Sequence, residues 1–217
     1  IHILIGTHAL IEENVVFSAL GLVITDEQHR FGVKQRQALE SKGKSPHVLI
    51  MTATPIPRTM ALSVYGDLDV SFIKGMPPGR HPVKTYVVGS HMLQRIFRFM
   101  KKEMESGHQA YVVCPLVEQS EKQDLAAAVS VYENLRDHVF PQFGVGLVHG
   151  RMKNAEKEQV MEDFRKGKFK LLVATSVIEV GVNVPDATVM FVYGADRFGL
   201  SQLHQLRGRV GRGKEQA

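Results

Sequence analysis

Short apolar runs recur along the chain, and longer polar or amphipathic segments separate them. The runs are rich in Val, Ile and Leu and have the length of strands: residues 1–5, 22–25, 48–51, 110–114, 145–148, 171–174 and 189–192. Runs of this length that are apolar on both faces are typical of parallel strands covered by helices. The pattern therefore predicts an open parallel sheet.

Two of the separating segments carry an apolar stripe at helical spacing. The first is residues 91–105, with Leu93, Ile96, Phe97, Met100 and Met104 on one face. The second is residues 154–166, with Val160, Met161 and Phe164 among charged positions. Strands that alternate with helices predict an α/β fold whose ligand-binding loops follow the carboxyl ends of the strands.

The alternation is interrupted by K-G-M-P-P-G-R-H-P at residues 74–82. Prolines and glycines in this density are typical of a stiff connection between lobes. We expect a first lobe at residues 1–77, a linker at 78–85 and a second lobe at 86–217. The first lobe has too few strands to cover itself, so we expect its missing part to precede Ile1.

Composition narrows the class of protein without deciding its function. The net charge of +5 and the pI near 9.3 permit a polyanionic partner. Cys114 is the single cysteine, so an intramolecular disulfide is excluded, and the residue is expected to be a small part of the core in a reducing cytosol. No apolar run approaches the roughly 20 residues of a membrane span, so no membrane partner is expected.

The segment D-E-Q-H-R-F-G at residues 26–32 directly follows a predicted strand. An aspartate at the carboxyl end of a strand, such as Asp26, can reach a magnesium ion, and the adjacent Glu27 can polarise a water molecule. Adjacent acidic residues are also common on protein surfaces. The dipeptide alone therefore leaves both interpretations open.

Three ordered motifs resemble those of superfamily-two helicases and translocases. D-E-Q-H at 26–29 resembles their motif II, M-T-A-T-P-I-P-R-T at 51–59 their motif III, and Q-L-R-G-R-V-G-R-G at 205–213 their motif VI. The longer strings resemble the RecG-type branched-DNA helicases over essentially the whole chain. The Mfd-type transcription-repair coupling translocases share R-F-G-V-K and T-A-T-P-I-P-R-T, whereas V-Y-G-D-L-D-V and P-P-G-R favour the RecG type.

The resemblance implies an α/β fold of two RecA-like parallel-sheet lobes, a P-loop NTPase helicase core, with the first lobe truncated at its N-terminus. It implies ATP and Mg²⁺ as cofactors, with ATP between the lobes. The chain would be a fragment of an ATP-dependent double-stranded DNA translocase that remodels stalled forks and Holliday junctions in repair and recombination. Branched double-stranded DNA would be the partner of a monomeric motor in the bacterial cytoplasm, associated with the nucleoid.

The same resemblance assigns roles to individual residues on the nucleotide side. Asp26 would hold Mg²⁺ and Glu27 would activate the attacking water, while guanidinium groups would contact the γ-phosphate. The catalytic set is Asp26, Glu27, Gln205, Arg209 and Arg212, and the nucleotide-binding set is Asp26, Gly181, Asn183, Arg209 and Arg212. Arg209 and Arg212 are three positions apart, so on a helix they would share a face. A solvated basic helix is the alternative.

Further residues are assigned to coupling and to DNA. The coupling residues are His29, Thr52, Thr54 and Glu179, for which ordinary loop hydrogen bonds are the alternative. Segments after three strands offer small or hydroxyl residues that can hold phosphates without reading bases. The expected DNA contacts are Thr7 in motif Ib, Gly150 and Arg151 in V-H-G-R-M, and Thr175 in motif V.

Two other functional hypotheses remain at this stage. G-R-V-G-R-G-K-E at 208–215 imitates a phosphate-binding P-loop, but Glu215 stands where Ser or Thr would be needed. Without a Walker A loop, the isolated chain would be an inactive DNA-binding module. A metabolic nucleotide-dependent enzyme is the other hypothesis, and it lacks a G-x-G-x-x-G sequence after a strand and leaves motif VI unexplained.

Overall fold

The computed structural model describes residues 2–26, 38–39, 41–53, 69–73, 75, 81–115, 121–175, 184–213, 215 and 217. The chain forms two compact units, Ile1–Leu68 and Asp69–Ala217. The linker that we predict at 78–85 stays a prediction, because residues 76–80 lie outside the described residues.

The first unit contains a parallel pair of strands. β1 is Leu22–Thr25 and β2 is His47–Ile50, with Leu22 opposite His47 and Thr25 opposite Ile50. A 3₁₀ turn, His8–Ile11, precedes them. The strand predicted at residues 1–5 is wrong for its described part: residues 2–6 have no strand partner, and Ile3 and Ile5 are 78% and 90% exposed.

Side chains of β1 alternate between buried and exposed positions. Val23 and Thr25 are 5% and 7% exposed, whereas Leu22 and Ile24 are each 54% exposed. Since successive side chains of a strand point to opposite faces, the described residues cover one face of this strand only. The apolar residues on both faces predict a strand that is covered on both sides. Within the described residues, only the face with Val23 and Thr25 is covered.

The second unit contains a four-stranded parallel sheet and its helices. The helices are α1 Leu93–Glu105, α2 Glu121–Asn134, α3 Asn154–Arg165 and α4 Leu200–Arg207. The strands are β3 Gln109–Val113, β4 Val145–Val148, β5 Leu171–Ala174 and β6 Ala187–Val192. Their order across the sheet is β4-β5-β3-β6, and all three pairings are parallel. Shorter turns are the 3₁₀ turns Ser90–Met92 and Ala195–Arg197 and the π-helical turn Leu135–Val139.

The core lies on both faces of this sheet, whose inner strands are β3 and β5. On one face Met100 and Met104 of α1 join Ala110 and Val112 of β3 in a buried cluster. On the other face Tyr111 and Val113 pack with Met161 and Phe164 of α3. The helices predicted at 91–105 and 154–166 are confirmed with small changes at their ends, and the predicted stripes are their buried faces.

α2 has no counterpart among the helices predicted from the sequence. Its described inward residues include the fully buried Ala128, with Val131 and Tyr132 packed beside the core. Its neighbours Ala126 and Ala127 are exposed. Alanine favours a helix but adds little to an apolar stripe, so the periodic signal of this helix is weak.

One buried polar side chain joins β3 to the end of α3. The amide nitrogen Nε2 of Gln109 donates hydrogen bonds to the carbonyl oxygens of Phe164 at 2.6 Å and Phe169 at 3.2 Å. Gln109 is 2% exposed, so both carbonyl groups are satisfied away from water. The turn between α3 and β5 is thereby held against the first residue of β3.

None of the helices in the described ranges combines the length and the apolar character that a membrane crossing requires.

Candidate functional site

Four residues that follow strands lie side by side at the carboxyl edge of the second unit. In order across the sheet they are His149, Thr175, Cys114 and Tyr193. Backbone hydrogen bonds hold this order: Thr175 N to Val148 O at 3.2 Å, Cys114 N to Ala174 O at 2.8 Å, and Tyr193 N to Val113 O at 2.9 Å. The sheet thus places these four residues in a row at the edge where ligands of α/β proteins bind.

Gly150, Arg151 and Thr175 come together at this edge, on the adjacent ends of β4 and β5. The carbonyl of Gly150 accepts a hydrogen bond from Nζ of Lys157 at 2.8 Å, and Arg151 is exposed. Thr175 is fully buried, and its hydroxyl has no hydrogen-bond partner among the residues that the structure describes. A buried polar atom without a partner is costly, so it marks a place where a ligand or a rearrangement adds a hydrogen bond.

Thr7 belongs to the first unit. It is exposed and precedes the 3₁₀ turn, with its carbonyl accepting a hydrogen bond from Leu10 N at 3.0 Å. Its hydroxyl makes no capping bond to that turn. The side chain is exposed to solvent, and its role as a phosphate contact stays a prediction.

His149 is a residue of this edge that sequence reasoning missed. Its ring is partly buried, and Nδ1 is buried without a partner among the described residues. Burial, followed by the positive charges of Lys157 and Arg151, lowers the pKa of this imidazole below its usual value, while Glu156 acts in the opposite direction. The available signal was its position in V-H-G-R-M, immediately after β4.

α4 ends at Arg207, before the two motif VI arginines that are assigned to the nucleotide, Arg209 and Arg212. Gly208 N bonds to His204 O at 3.1 Å and Arg209 N to Leu206 O at 2.9 Å, which closes the helix after Arg207. The expectation that Arg209 and Arg212 share a helix face is therefore wrong. Gly211 has a φ of +66° and donates from its N to Ala187 O at 3.2 Å, so the chain turns back toward the start of β6. Gln205 stays within α4.

The turn after α4 brings both guanidinium groups near one buried hydroxyl. Burial raises the pKa of Tyr111 to about 12, and the positive charges of Arg209 and Arg212 act against that rise. Nε of Arg212 donates to the carbonyl of Gly208 at 3.0 Å, which fixes the start of its guanidinium group. Two partly exposed arginines on one short turn are groups that can bind an oxyanion such as phosphate.

Glycines allow this turn to lie close to neighbouring backbone. A Cβ atom on Gly211 would lie 3.2 Å from Val83 and 3.1 Å from Ala217, and a Cβ atom on Gly213 would lie 2.5 Å from the carbonyl oxygen of Pro185. Lys84 N also bonds to Ala217 O at 2.9 Å. The glycines of motif VI therefore have a packing role beside any role of the arginines.

Replacing Gly213 with Ala is expected to destabilise this turn. The new methyl group meets a backbone oxygen, so the chain must shift, at a cost of about 1–3 kcal/mol. We expect the melting temperature of the second unit to fall by several degrees, measured by thermal unfolding. Gly199→Ala is the matched control, because its added Cβ would lie 3.7 Å from the nearest atom, Oε1 of Gln202. Equal melting temperatures for both variants would contradict the packing role.

In the first unit, Asp26 and Thr52 follow neighbouring strands. Asp26 comes directly after β1 and is exposed, and Thr52 lies two residues after β2. Met51 N bonds to Thr25 O at 2.9 Å, which places the two strand ends side by side. Magnesium in nucleotide sites takes one or two carboxylates together with phosphate oxygens, so one exposed aspartate at a strand end fits it. Among the described residues, no group of three or more acidic, histidine or cysteine side chains is close enough together to hold a metal. A magnesium site of the nucleotide-bound kind does not require such a group.

The remaining predicted site residues lie outside the described residues. They are Glu27, His29, Thr54, Glu179, Gly181 and Asn183. Their assigned roles stay predictions.

Comparison with known protein families places both units among helicases. A family model described as "Helicase conserved C-terminal domain" matches residues 90–214, and one described as "DEAD/DEAH box helicase" matches residues 1–62. The ATP-dependent DNA helicase RecG of Bacillus subtilis is 58% identical over 217 residues, which are 100% of this chain and 32% of that protein. The RecG of Thermotoga maritima is 55% identical over 100% of this chain and 28% of its own length.

Solved structures agree with the two-unit α/β fold. A structure of RecG bound to a three-way DNA junction is 51% identical, with a TM-score of 0.71 over 96% of this chain and 26% of that chain. S. cerevisiae Dbp5 bound to RNA and ADP BeF3 has a TM-score of 0.62 at 14% identity and supports the fold alone. The predicted fold of two RecA-like parallel-sheet regions is therefore confirmed.

The chain spans about a third or less of the length of the curated relatives it matches. The helicase C-terminal domain model covers more than half of the chain. The two relatives reported above, which match the chain over its whole length, are RecG proteins. The chain belongs to the helicase conserved C-terminal domain family and, within the superfamily-two helicases, is of the RecG type.

Proposed function

We propose that the chain forms part of an ATP-dependent helicase that moves on double-stranded DNA and remodels branched DNA in repair and recombination. The observation that carries this proposal is the 51–58% identity over nearly the whole chain to RecG proteins, one of which has been solved bound to a three-way DNA junction. Stalled forks and Holliday junctions are the branched substrates that we infer. An Mfd-like coupling to transcription is the alternative, and the relatives reported above do not favour it.

ATP use follows from the match of the first unit to the DEAD/DEAH box helicases. We infer that Mg²⁺ accompanies the nucleotide and that Asp26 holds it, as its place at the end of β1 allows. Bound Mg²⁺ supplies positive charge that neutralises phosphate oxygens during hydrolysis. Glu27 would orient and deprotonate the attacking water, and Arg209 and Arg212 would stabilise the charge that develops on the transferred phosphoryl group.

The nucleic-acid role rests on the carboxyl edge of the second unit. Gly150 and Arg151 lie beside Thr175, whose buried hydroxyl has no partner among the described residues. Backbone and side-chain groups of this kind hold phosphates and carry no sequence information, which suits an enzyme that recognises the shape of a junction. A monomeric motor in the bacterial cytoplasm, associated with the nucleoid, is part of the proposal, and its support is the bacterial origin of the RecG relatives reported above.

ATP hydrolysis by the full-length protein on different DNA substrates tests this function. We expect a three-way junction to stimulate turnover more than a linear duplex of equal length, and we expect ATP-dependent strand separation at the junction. Equal turnover with junction, linear duplex and no DNA would contradict the proposal. Release of stalled RNA polymerase without activity on junctions would favour the Mfd-like alternative.

The isolated chain is expected to behave differently from the full-length protein, because its 217 residues contain no G-x-x-x-x-G-K-[ST] sequence, which binds nucleotide phosphates. We propose that by itself it binds DNA weakly and does not hydrolyse ATP. Robust turnover by the isolated 217-residue chain would overturn this, and it would leave the function of the full-length protein untouched.

A further inference from the structure

His149 follows β4 at one end of the row of strand ends, and its ring makes no hydrogen bond to the described residues. Nδ1 is buried with no partner among the described residues, and the partly exposed ring leaves Nε2 to solvent. A neutral imidazole carries one proton, and a buried nitrogen without an acceptor is the less favourable place for it. The proton therefore sits on Nε2, which makes this nitrogen a hydrogen-bond donor directed to the surface.

The surroundings of His149 favour an anion. Lys157 and Arg151 are close enough for their charges to act on the ring, and Lys157 is held in place by its bond to the Gly150 carbonyl. On the neighbouring strand end, Thr175 offers a second polar group that has no partner within the described ranges. Two cations and an unengaged imidazole at this strand end form a set of donors for a phosphate oxygen.

We propose that His149 is a further phosphate ligand of this edge, donating through Nε2, and that DNA binding is linked to the uptake of a proton by its ring. The inference rests on the proposed function, because it takes the phosphate to be that of DNA. In the free protein, burial and the two cations disfavour the imidazolium form. A bound phosphate places a negative charge beside the ring and offsets the charge of those cations, so it favours the imidazolium form, in which the added proton occupies Nδ1 and Nε2 keeps its bond to the phosphate.

The sign of the linkage follows from these charges. If the ring binds a proton more tightly in the complex than in the free protein, DNA affinity rises as the pH falls. The other titratable and charged groups that act on this ring within the described residues are Lys157, Arg151 and Glu156. Glu156 is engaged at the start of α3, where its carboxylate accepts a bond from Lys153 N at 3.0 Å.

DNA affinity measured against pH tests the inference in the full-length protein. Binding of a rhodamine-labelled three-way junction is followed by fluorescence anisotropy between pH 5.5 and 8 at constant ionic strength. One linked proton gives a slope of at most about one decade of affinity per pH unit. We expect the slope of DNA affinity against pH to be clearly steeper for the wild-type protein than for His149→Gln and His149→Asn. At pH 5.5 the wild-type protein should also bind the junction more tightly than either variant.

A histidine at the opposite edge of the sheet provides the matched control. His138 is exposed in the π-helical turn that precedes β4, so His138→Gln removes a titratable ring far from the carboxyl edge. This variant is expected to keep the wild-type slope. Equal slopes for the wild type and both His149 variants would overturn the inference.

A measurement without any substitution guards against variants that fold poorly. Calorimetric titration of the wild-type protein with the junction at pH 6.5, in two buffers of different ionisation enthalpy, counts the protons taken up. If no protons are taken up on junction binding, the inference is overturned. It is also overturned if His149 makes ATP binding depend on pH but leaves DNA binding independent of pH. If the wild type binds no junction at any pH, the proposed function fails as well, whereas tight binding without linkage removes the role of His149 alone.

Discussion

Replacing Glu27 with Gln is expected to lower ATP turnover of the full-length protein by about 10²–10⁴-fold, the usual contribution of a general base. The amide keeps the size of the side chain but cannot accept the proton of the attacking water. ATP binding should remain close to that of the wild type, because the phosphates and Mg²⁺ are assigned to other groups. Steady-state hydrolysis and the affinity for a fluorescent ATP analogue measure the two effects separately.

Glu13→Gln is the matched control for this substitution. Glu13 is an exposed carboxylate of the same unit and lies outside the D-E-Q-H motif. It should leave turnover unchanged. Wild-type turnover by Glu27→Gln would remove the role assigned to this residue, and loss of ATP binding in that variant would indicate a structural defect instead.

Replacing Arg212 with Ala is expected to slow hydrolysis by about 10³-fold or more, the lower end of what an arginine finger contributes. The substitution removes a positive charge from the turn that holds both arginines and breaks the bond from Nε to the Gly208 carbonyl. Affinity for the DNA junction should change little. Single-turnover hydrolysis and junction binding at several salt concentrations measure the two quantities.

Two further variants separate chemistry from packing at this turn. Arg212→Lys keeps the charge but lacks the planar fork and Nε, so we expect only a small part of the activity to return. Arg207→Ala removes an exposed neighbouring arginine that contacts Nδ1 of His204 at 3.1 Å, and it should keep turnover. If Arg212→Ala lost only salt-sensitive DNA affinity, the residue would be a phosphate contact for DNA and not part of the hydrolytic site.

The strands of the second unit could be predicted because local sequence decides them. β4 and β5 begin and end where their apolar runs at 145–148 and 171–174 do. The strand expected at residues 1–5 failed, since an apolar run becomes a strand only when a partner strand lies beside it. That partner is set by distant parts of the chain, which local periodicity does not report.

The site shows the same division between local and distant causes. That Gly150, Arg151 and Thr175 meet follows from the rule that parallel strands end at one edge. Gly208 directly after the last residue of α4 is a sequence signal for the end of a helix, whereas the three-residue spacing of Arg209 and Arg212 favours a helix that continues. The unpaired Nδ1 of His149 could not be foreseen, since its burial depends on packing around the ring.

The contacts of Gly211 with Val83 and Ala217, and the bond from Lys84 to Ala217, have a mechanical consequence. These contacts join the segment that precedes α1 to the segment that follows α4, next to the turn that carries Arg209 and Arg212. A displacement of the chain near residue 83 is therefore expected to shift the turn that carries Arg209 and Arg212, which the bond from Gly211 N to Ala187 O also ties to the start of β6.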